Sequence, residues 1–515
     1  MYNYIIVGAG SAGCVLANRL TDDPTVSVLL LEAGSTDDRG HDVRAPDAFP
    51  ELFWSDHDWS YRTASQTQLD GRKVFWPRGA MLGGSSSMNA TVYLRGNRAD
   101  FDGWEQLGNK GWGWKDILRY FKKSEHNERI QDEFHGQGGP LNVADPGKPH
   151  PLTKAFLEAG ALLGLEPNPD FNGVHHQGIG MLQMTQKNGA RWSAADAWLR
   201  PALTRSNLTV AFQAYANRLL FKGHKAAGVE FLQGNVQRFE EASREVILSG
   251  GAINSPQLLM LSGLGPAAQL KEFGIAVIFD LPGVGQNLQD HAVIGLKYAL
   301  KRPISLLLSG VSKRALLNAI SHGRNPMTTP VPEAAAIVPS RPGLEAPDLE
   351  LGVGPIIDNV EAARAFSIYT VLLAPKSRGS ISLQSPASVS RPLIQANYLS
   401  DPADEQALLV GLGLARQMVE STPFDAYRGE LLHPGAEIDI ATHLRSHLST
   451  HFHPVGTCKM GSDPMAVVDD QLRVRGVTGV RVVDASIMPR IVRGYTNAPT
   501  YMIAEKAADL IRNAS

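Results

Sequence analysis

Two histidines close to the C-terminal end of the sequence are separated by one residue, in the order His451, Phe452, His453. Because histidine titrates near neutral pH, an imidazole here can accept a proton from a bound molecule or bind a metal ion. In an extended segment both side chains share one face, so both can point into one pocket. A metal site is not expected at this pair of histidines.

The elements that must position this chemistry begin with a β-α-β unit. Branched apolar runs at Tyr4–Val7 and Val26–Leu31 indicate two strands, and the stretch Ser11–Leu20 between them has helical character. The loop from Gly8 to Gly13 reads GAGSAG and fits the pattern G-x-G-x-x-G, directly after a strand and before a helix. This context predicts a dinucleotide-binding turn, but it does not separate FAD from NAD.

A physical requirement explains each glycine of that turn. The first permits the tight turn, the second lets the backbone approach a pyrophosphate, and the third lets the helix lie against the strand. The helix N-terminus then faces the negative charge. Glu32, at the end of the second strand, is expected to accept hydrogen bonds from ribose hydroxyls and to repel a 2′-phosphate. The residues assigned to the dinucleotide in this segment are Gly8, Gly10, Ser11, Ala12, Gly13, Glu32 and Ala33.

Composition narrows the class of protein further. A chain of 515 residues is too long for one core, so two structural domains are expected. A formal net charge of −2 gives no electrostatic support for nucleic-acid binding. Two cysteines suggest no disulfide framework, and neither a secretory leader nor an apolar run long enough to span a bilayer is visible. We expect a cytoplasmic protein, at most peripheral to a membrane.

Later segments indicate a second kind of architecture. The stretches Pro151–Leu163 and Asp404–Glu420 have apolar residues at helical spacing, and strand-like runs occur at Ser367–Leu373 and Gly379–Leu383. Strands grouped together, with helices grouped elsewhere, are typical of an α+β domain. The polar segment Thr36–Val74 is expected to interrupt the nucleotide-binding unit. We therefore expect α/β plus α+β, with the second domain covering one side of the first.

Two long segments carry a resemblance to a known family. Residues 76–89 read WPRGAMLGGSSSMN and residues 251–265 read GAINSPQLLMLSGLG. They resemble the two signatures of the glucose-methanol-choline (GMC) oxidoreductases. Within that family the sequence is similar to those of choline-dehydrogenase-like members. The resemblance implies a discontinuous Rossmann-like FAD-binding domain and a substrate domain built on an antiparallel sheet flanked by helices. The expected segments are 1–150, 200–295 and 450–515 for FAD, and 151–199 and 296–449 for substrate.

FAD as the cofactor follows from this resemblance and not from glycine spacing. Relatives that bind FAD covalently use a histidine at the position of Trp76, and no histidine lies between Asp58 and Gly103, so non-covalent binding is expected. Ala80 stands where the family usually has a polar or basic residue, which leaves the charge near the flavin open. The further cofactor residues implied are Arg78, Gly83, Gly84, Ser85, Asn89, Ala216, Asp484, Ala485, Pro499 and Thr500.

The resemblance also assigns the catalytic residues. His453 falls on the position of the base that removes an alcohol's hydroxyl proton while flavin N5 takes the hydride, and Asn497 falls on the second active-site position, which orients the carbinol. His451 is expected to pack beside them. The implied reaction oxidises a primary alcohol, aromatic or benzylic in some relatives, to the aldehyde, with dioxygen or a quinone or dye-like compound as acceptor. The alternative is a hydroxynitrile lyase, an activity known on the same fold.

Overall fold

The computed structural model describes residues 1–36, 41–147, 149–234, 236–301, 332–355, 365–435 and 437–514. Within these ranges the strands form two seven-stranded sheets and several two-stranded pairs. The first sheet holds the predicted nucleotide unit, and the second is built from segments later in the chain.

The first sheet has a parallel centre and an antiparallel extension. Strand Tyr2–Val7 pairs in parallel with Val28–Leu31 on one side and with Val236–Leu248 on the other. All of its buried central residues are apolar, as a strand covered on both faces requires. The strands in spatial order are Leu208–Ala211, Val28–Leu31, Tyr2–Val7, Val236–Leu248, Lys225–Gln233 and Ala214–Lys222, and Val480–Val482 also pairs in parallel with Val236–Leu248.

The second sheet is antiparallel throughout. Its central strand, Ala365–Leu372, is buried along its whole length. A strand covered on both faces needs apolar side chains on both, and the residues AFSIYTVL largely provide them. The strands in spatial order are Arg428–His433, Ala292–Leu300, Ala365–Leu372, Leu349–Pro355, Ala334–Val338 and Gly178–Met181, with Ser449–Thr450 paired to Ala292–Leu300.

Helices cover both sheets. The longest, Pro402–Glu420, begins at an Asp401 N-cap and packs on the second sheet. In the described part of the chain, no helix combines the length and apolar character that crossing a bilayer requires. The other helices of eight or more residues are Ser11–Leu20, Arg98–Gln106, Trp114–Ser124, Pro151–Leu162, Gly251–Leu261, Ile440–His447 and Asn497–Asn513.

Helix Asn497–Asn513 packs against helix Ser11–Leu20, although nearly the whole chain separates them in sequence. Arg19 contacts the fully buried Glu505 carboxylate at 2.7 Å, and Lys123 lies 3.2 Å from the same group. Ser11 donates to the Asn497 side chain at 2.7 Å. The dinucleotide unit is therefore completed by residues from both ends of the chain.

Short elements link these parts. The short helices and 3₁₀ or π turns are His41–Arg44, Pro46–Leu52, Thr67–Leu69, Gly84–Ser87, Ala195–Leu199, Arg200–Ala202, Ala267–Glu272, Thr422–Phe424 and Ala485–Ile487. The two-stranded pairs are Tyr61–Arg62 with Phe75–Trp76, Val92–Tyr93 with Gln183–Met184, Glu125–Asn127 with Leu141–Val143, Gln186–Lys187 with Ala190–Arg191, Leu264–Gly265 with Phe279–Asp280, and Ser380–Ser382 with Leu393–Gln395.

Most predicted elements are present, with small shifts at their ends. The helix Ser11–Leu20 has the predicted bounds, and the two later helices differ from prediction by one or two residues. The predicted strand Ser367–Leu373 is found as Ala365–Leu372. The described residues between Thr36 and Val74 contribute no strand to either large sheet, as predicted for a segment that interrupts the nucleotide-binding unit. The combination of an α/β unit with an antiparallel α+β unit is confirmed.

Candidate active site

One continuous cavity connects the glycine turn to the predicted catalytic histidine. With its open mouth it encloses about 1940 Å³. Of the predicted site residues, Gly13, Gly83 and Pro499 do not line it. Those that do are Gly8, Gly10, Ser11, Ala12, Glu32, Ala33, Arg78, Gly84, Ser85, Asn89, Ala216, His453, Asp484, Ala485, Asn497 and Thr500.

The two glycine-rich loops meet at the cavity wall. Gly84 has φ +52°, and a Cβ there would lie 2.8 Å from the Cα of Gly10. A side chain at this position would separate the loops and fill the cradle that a planar or phosphate group could occupy. Gly13 does not line the cavity; it faces the Gly8 carbonyl, where a Cβ would lie 1.9 Å from the oxygen. A glycine here lets the helix lie against the strand, which is the role expected of the third glycine of the turn.

Two carboxylates line the cavity and are already held by backbone groups. Glu32 accepts from the N–H of Ala9 at 2.9 Å and from that of Gly34 at 2.8 Å. Burial raises the pKa of Glu32 to about 7, against these backbone donors. Asp484 accepts from the Gly251 N–H at 2.9 Å and from other neighbouring donors. Both groups thus shape the loops, and both line the cavity.

Arg78 places a half-buried cation in the cavity wall. Its Nη2 donates to the Phe452 carbonyl at 2.6 Å, next to His453. Burial lowers the pKa of Arg78 to about 10, so the guanidinium stays charged at neutral pH. Ala80, by contrast, contributes a backbone N–H to the His57 carbonyl at 2.8 Å. The positive charge that the side chain of Ala80 cannot supply is therefore present two residues earlier.

Adjacent residues Asp290 and His291 hold His453 from two directions. The Asp290 carboxylate accepts from the His453 backbone N–H at 2.8 Å, and Nδ1 of His291 lies 2.9 Å from Nδ1 of His453. Thr450 donates to the same carboxylate at 2.6 Å, and the Tyr398 hydroxyl donates to it as well. The imidazole of His453 is thereby fixed in the cavity wall.

The three clustered histidines are neutral near pH 7. Burial, reinforced by His451, His291 and Arg78, lowers the pKa of His453 well below its usual range. Burial also lowers the pKa of His451 to about 4 and that of His291 to about 3. A neutral imidazole has a free lone pair, so His453 is in the protonation state that a base requires.

Asn497 lines the same cavity as His453, and its side chain is held by neighbouring residues. The Asn497 amide accepts from Ser11 at 2.7 Å and donates to the Tyr501 hydroxyl at 3.0 Å, on the dinucleotide side of the cavity. Its position as the first residue of a helix packed on the glycine turn explains this orientation. The residue beside His453 is Tyr495, whose ring centroid lies 4.9 Å from that of the imidazole.

Tyr495 also connects the cavity to a buried carboxyl group. Its hydroxyl lies 2.8 Å from Oε1 of Glu350 and 3.2 Å from Nε2 of His451. Glu350 is fully buried on the second sheet, and its Oε2 has no partner among the described residues. Glu350 lies in strand Leu349–Pro355 of that sheet. His451 is thus part of this polar chain and also lines the cavity.

Replacing Glu350 with glutamine is expected to remove a pH dependence of stability. Burial raises the pKa of Glu350 from 4.5 to about 7. The folded protein therefore keeps a proton that the unfolded chain releases, and this contribution is lost as pH rises from about 4.5 through 7. The parent should lose on the order of 3 kcal/mol more than Glu350→Gln between pH 4.5 and 8. Thermal unfolding of both proteins across this range measures it.

The matched control is Glu430→Gln, an exposed carboxyl on another strand of the same sheet. It should follow the parent at every pH. Equal pH slopes for the parent and Glu350→Gln would show that this carboxyl ionises in the folded protein as it does in the unfolded chain.

The cavity beside His453 is largely aromatic. Phe53 lies 5.9 Å from Phe452 and 5.7 Å from Phe49, measured between ring centroids, and all three line the cavity. Among the described lining residues, the carboxylates are Glu32 and Asp484, both bound to the nucleotide-side loops. The described part of this end therefore presents aromatic rings, a neutral base and one fixed cation.

Comparison with known proteins identifies the class. Family models described as GMC oxidoreductase match residues 2–293 and 375–504. The chain therefore belongs to the GMC oxidoreductase family, as the two sequence signatures predicted.

Similar proteins agree with this. The chain is 44% identical over 528 residues to "Alcohol dehydrogenase [acceptor]" of Pseudomonas putida, covering 99% of this chain and 96% of the relative. It is 43% identical over 532 residues to "Choline dehydrogenase, mitochondrial" of Homo sapiens, covering 99% and 90%. The solved pyridoxine 4-oxidase from Mesorbium loti superposes with a TM-score of 0.90 at 34% identity, covering 99% of both chains. The protein is an FAD-dependent alcohol dehydrogenase or oxidase that acts on CH–OH donors.

The residues present fit FAD as the cofactor, which the family and the solved FAD-dependent relatives indicate. The cavity runs from Glu32, past the close contact of Gly10 with Gly84, to His453, so a long dinucleotide could lie along it. Trp76, taken from the resemblance as the position of covalent attachment, donates its indole N–H to Tyr398 and does not line the cavity.

Sequence reasoning assigned no individual role to three residues of the site: His291, Glu350 and Tyr495. His291 follows Gln289 and Asp290 in a segment without recognisable periodicity, so nothing local marks it. Glu350 lies in an apolar strand run, where a single carboxylate was a visible anomaly. Tyr495 precedes the assigned Asn497 by two residues, and only the packing of the helix start separates their roles.

Proposed function

We propose that the protein oxidises an uncharged primary alcohol with an aromatic or apolar body to the aldehyde, with His453 as the base. The observation that carries this is the neutral, buried His453 imidazole in a wall of aromatic residues. A hydroxyl proton is far too weakly acidic to leave unaided at neutral pH, so a positioned acceptor is required. The cavity-facing nitrogen of His453 is suited to that task.

Side chains of the protein accept the proton, stabilise developing charge and exclude water from the reacting atoms. FAD, when bound, supplies the hydride acceptor at N5. His453 takes the hydroxyl proton, and the adjacent Arg78 cation favours negative charge that develops on nearby oxygen or ring atoms. Phe452, Phe53 and Phe49 exclude water around the carbinol, which strengthens these interactions. Tyr495 packs on the imidazole and limits its rotation.

An uncharged substrate is proposed although a choline dehydrogenase is among the relatives. A quaternary ammonium group near His453 would meet the Arg78 cation, and the described lining there offers no carboxylate to pair with it. Choline and 3,3-dimethylbutan-1-ol have nearly the same shape and differ in charge. We expect kcat/KM to favour the uncharged alcohol by about 10²-fold or more, the scale of an unpaired buried charge. Equal values would mean that the aromatic rings bind the cation.

The reaction class is tested by mixing the FAD-loaded protein anaerobically with benzyl alcohol. Lasting loss of the yellow colour, with benzaldehyde formed, supports oxidation. Cleavage of mandelonitrile with unchanged colour would instead identify a hydroxynitrile lyase. The same substrate assayed in air for peroxide, and with a quinone dye for dye reduction, distinguishes dioxygen from the alternative acceptor.

Three further proposals come from the sequence. FAD is bound non-covalently, because no cysteine lines the described cavity and its histidines are His451 and His453; acid precipitation should leave all flavin in the supernatant. The domain segments are proposed as predicted, supported by the chain positions of most strands of the two sheets, although residues 292–295 and Thr450 from the FAD segments join the second sheet. The protein is proposed to be cytoplasmic.

A further inference from the structure

His291 is a buried histidine outside the cavity lining, immediately before strand Ala292–Leu300. Its relative exposure is 0%, and both ring nitrogens have partners. Nε2 lies 3.0 Å from the carbonyl oxygen of Leu373, and Nδ1 lies 2.9 Å from Nδ1 of His453. The two imidazole planes are nearly perpendicular, at 85°. This geometry restricts where the protons of both rings can be.

A carbonyl oxygen only accepts hydrogen bonds, so the contact with Leu373 requires the proton of His291 to be on Nε2. Burial lowers the pKa of His291 to about 3, so the ring is neutral and carries that one proton. Its Nδ1 is then a bare lone pair. At 2.9 Å, Nδ1 of His453 must donate to it, since two facing lone pairs would repel.

We propose that His291 is a positioning residue that fixes His453 in the tautomer protonated at Nδ1, which leaves the lone pair of Nε2 directed at the cavity as the base. The inference rests on the proposed function, in which His453 is that base. It adds which nitrogen acts and which residue determines it.

Other contacts hold the ring of His453 in the orientation that this assignment requires. The Asp290 carboxylate accepts a hydrogen bond from the backbone N–H of His453 at 2.8 Å, which fixes the backbone from which the imidazole projects. His451 and Tyr495 pack edge-to-face on the ring at centroid distances of 5.0 and 4.9 Å, so it cannot turn over freely. In the opposite tautomer the Nε2 proton would point into the cavity and block proton transfer from a hydroxyl. When Nε2 takes a proton, the Nδ1 donor bond to His291 is retained.

The tautomer can be read directly by ¹⁵N NMR of the FAD-bound protein with ¹⁵N-labelled histidine. The chain has 15 histidines, and the signals missing in His453→Gln identify those of His453. We expect a protonated, pyrrole-type Nδ1 and an unprotonated, pyridine-type Nε2. A protonated Nε2 in the resting protein would overturn the proposal. Because no turnover is needed, this result is independent of whether His453 proves to be the base.

A matched pair of substitutions tests the role in the reaction. In His291→Asn the side-chain amide occupies the place of Nδ1, so an acceptor for His453 is kept and the Leu373 contact is lost. In His291→Gln the amide occupies the place of Nε2, so the Leu373 contact is kept and the acceptor is lost. We expect flavin reduction by saturating alcohol to slow by about 10²-fold in His291→Gln and by less than about 10-fold in His291→Asn.

The apparent substrate dissociation constant should change little in either variant, since His291 does not line the cavity. Flavin content and melting temperature check that both variants are loaded and folded. A His291→Gln protein as fast as His291→Asn would refute the positioning role. If His453→Ala itself left the rate unchanged, the proposed function would fail instead, and the NMR measurement would still report the tautomer.

Discussion

Substituting His453 with alanine is expected to slow anaerobic flavin reduction by on the order of 10²- to 10⁴-fold, the usual scale for loss of a general base. The imidazole is neutral and directed at the cavity, and the described lining near it offers no carboxylate that could replace it. Its loss should not release FAD, because the glycine loops, Glu32 and the start of helix Asn497–Asn513 remain. Stopped-flow absorbance with saturating alcohol measures the rate.

The control is His447→Ala, which removes an exposed imidazole from helix Ile440–His447. Its rate should equal that of the parent. Added imidazole should restore part of the activity of His453→Ala, since the substitution leaves space beside Tyr495. A His453→Ala protein that reduces its flavin as fast as the parent would remove the basis of the proposed mechanism.

Gly13→Ala should abolish FAD retention. A Cβ at residue 13 would lie 1.9 Å from the Gly8 oxygen and 3.0 Å from its carbonyl carbon. Both atoms are backbone, so the turn itself must open, and overpacking of this kind costs about 3 kcal/mol or more. Because this turn receives the pyrophosphate, a free-energy cost of that size corresponds to a loss of more than about 10²-fold in FAD affinity. Flavin content after gel filtration and titration with FAD measure it.

Gly103→Ala is the matched control. Gly103 also lies within a helix, Arg98–Gln106, and a Cβ there meets nothing within 4 Å. Alanine favours helix over glycine by roughly 0.8–1.0 kcal/mol, so this variant should bind FAD normally and melt slightly higher. Retention of FAD by Gly13→Ala equal to that of Gly103→Ala would mean that the turn adapts to a side chain.

The nucleotide unit could be predicted because its signals are local. Glycine spacing, a branched strand and a following helix all lie within 32 residues, and the structure has the helix Ser11–Leu20 as predicted. The ends of other elements shifted by one or two residues, since fraying and capping depend on neighbours that the sequence does not show. The antiparallel order of the second sheet could come only from the family resemblance, because its strands pair over long separations.

The site was predictable where backbone geometry dictates residue type, as at Gly10 and Gly84. It was not predictable where tertiary packing decides which side chain reaches the base. The amide of Asn497 accepts from Ser11 at the start of the helix, and the ring that packs on His453 belongs to Tyr495, which no sequence pattern singled out. His291 reaches His453 across 162 residues of sequence. The assignments of individual residues to cofactor and catalysis remain predictions.

The packing of helix Asn497–Asn513 against helix Ser11–Leu20 has a consequence for biosynthesis. Ser11 contacts Asn497 and Arg19 contacts Glu505, each pair across 486 residues of sequence. Strand Val480–Val482 joins the first sheet beside Val236–Leu248. Residues 480–513 emerge from the ribosome long after residues 11–19, so these contacts can form only when translation of the region is nearly finished. Cofactor loading is therefore expected after synthesis, and nascent chains lacking residues 480–513 should depend on chaperones until then.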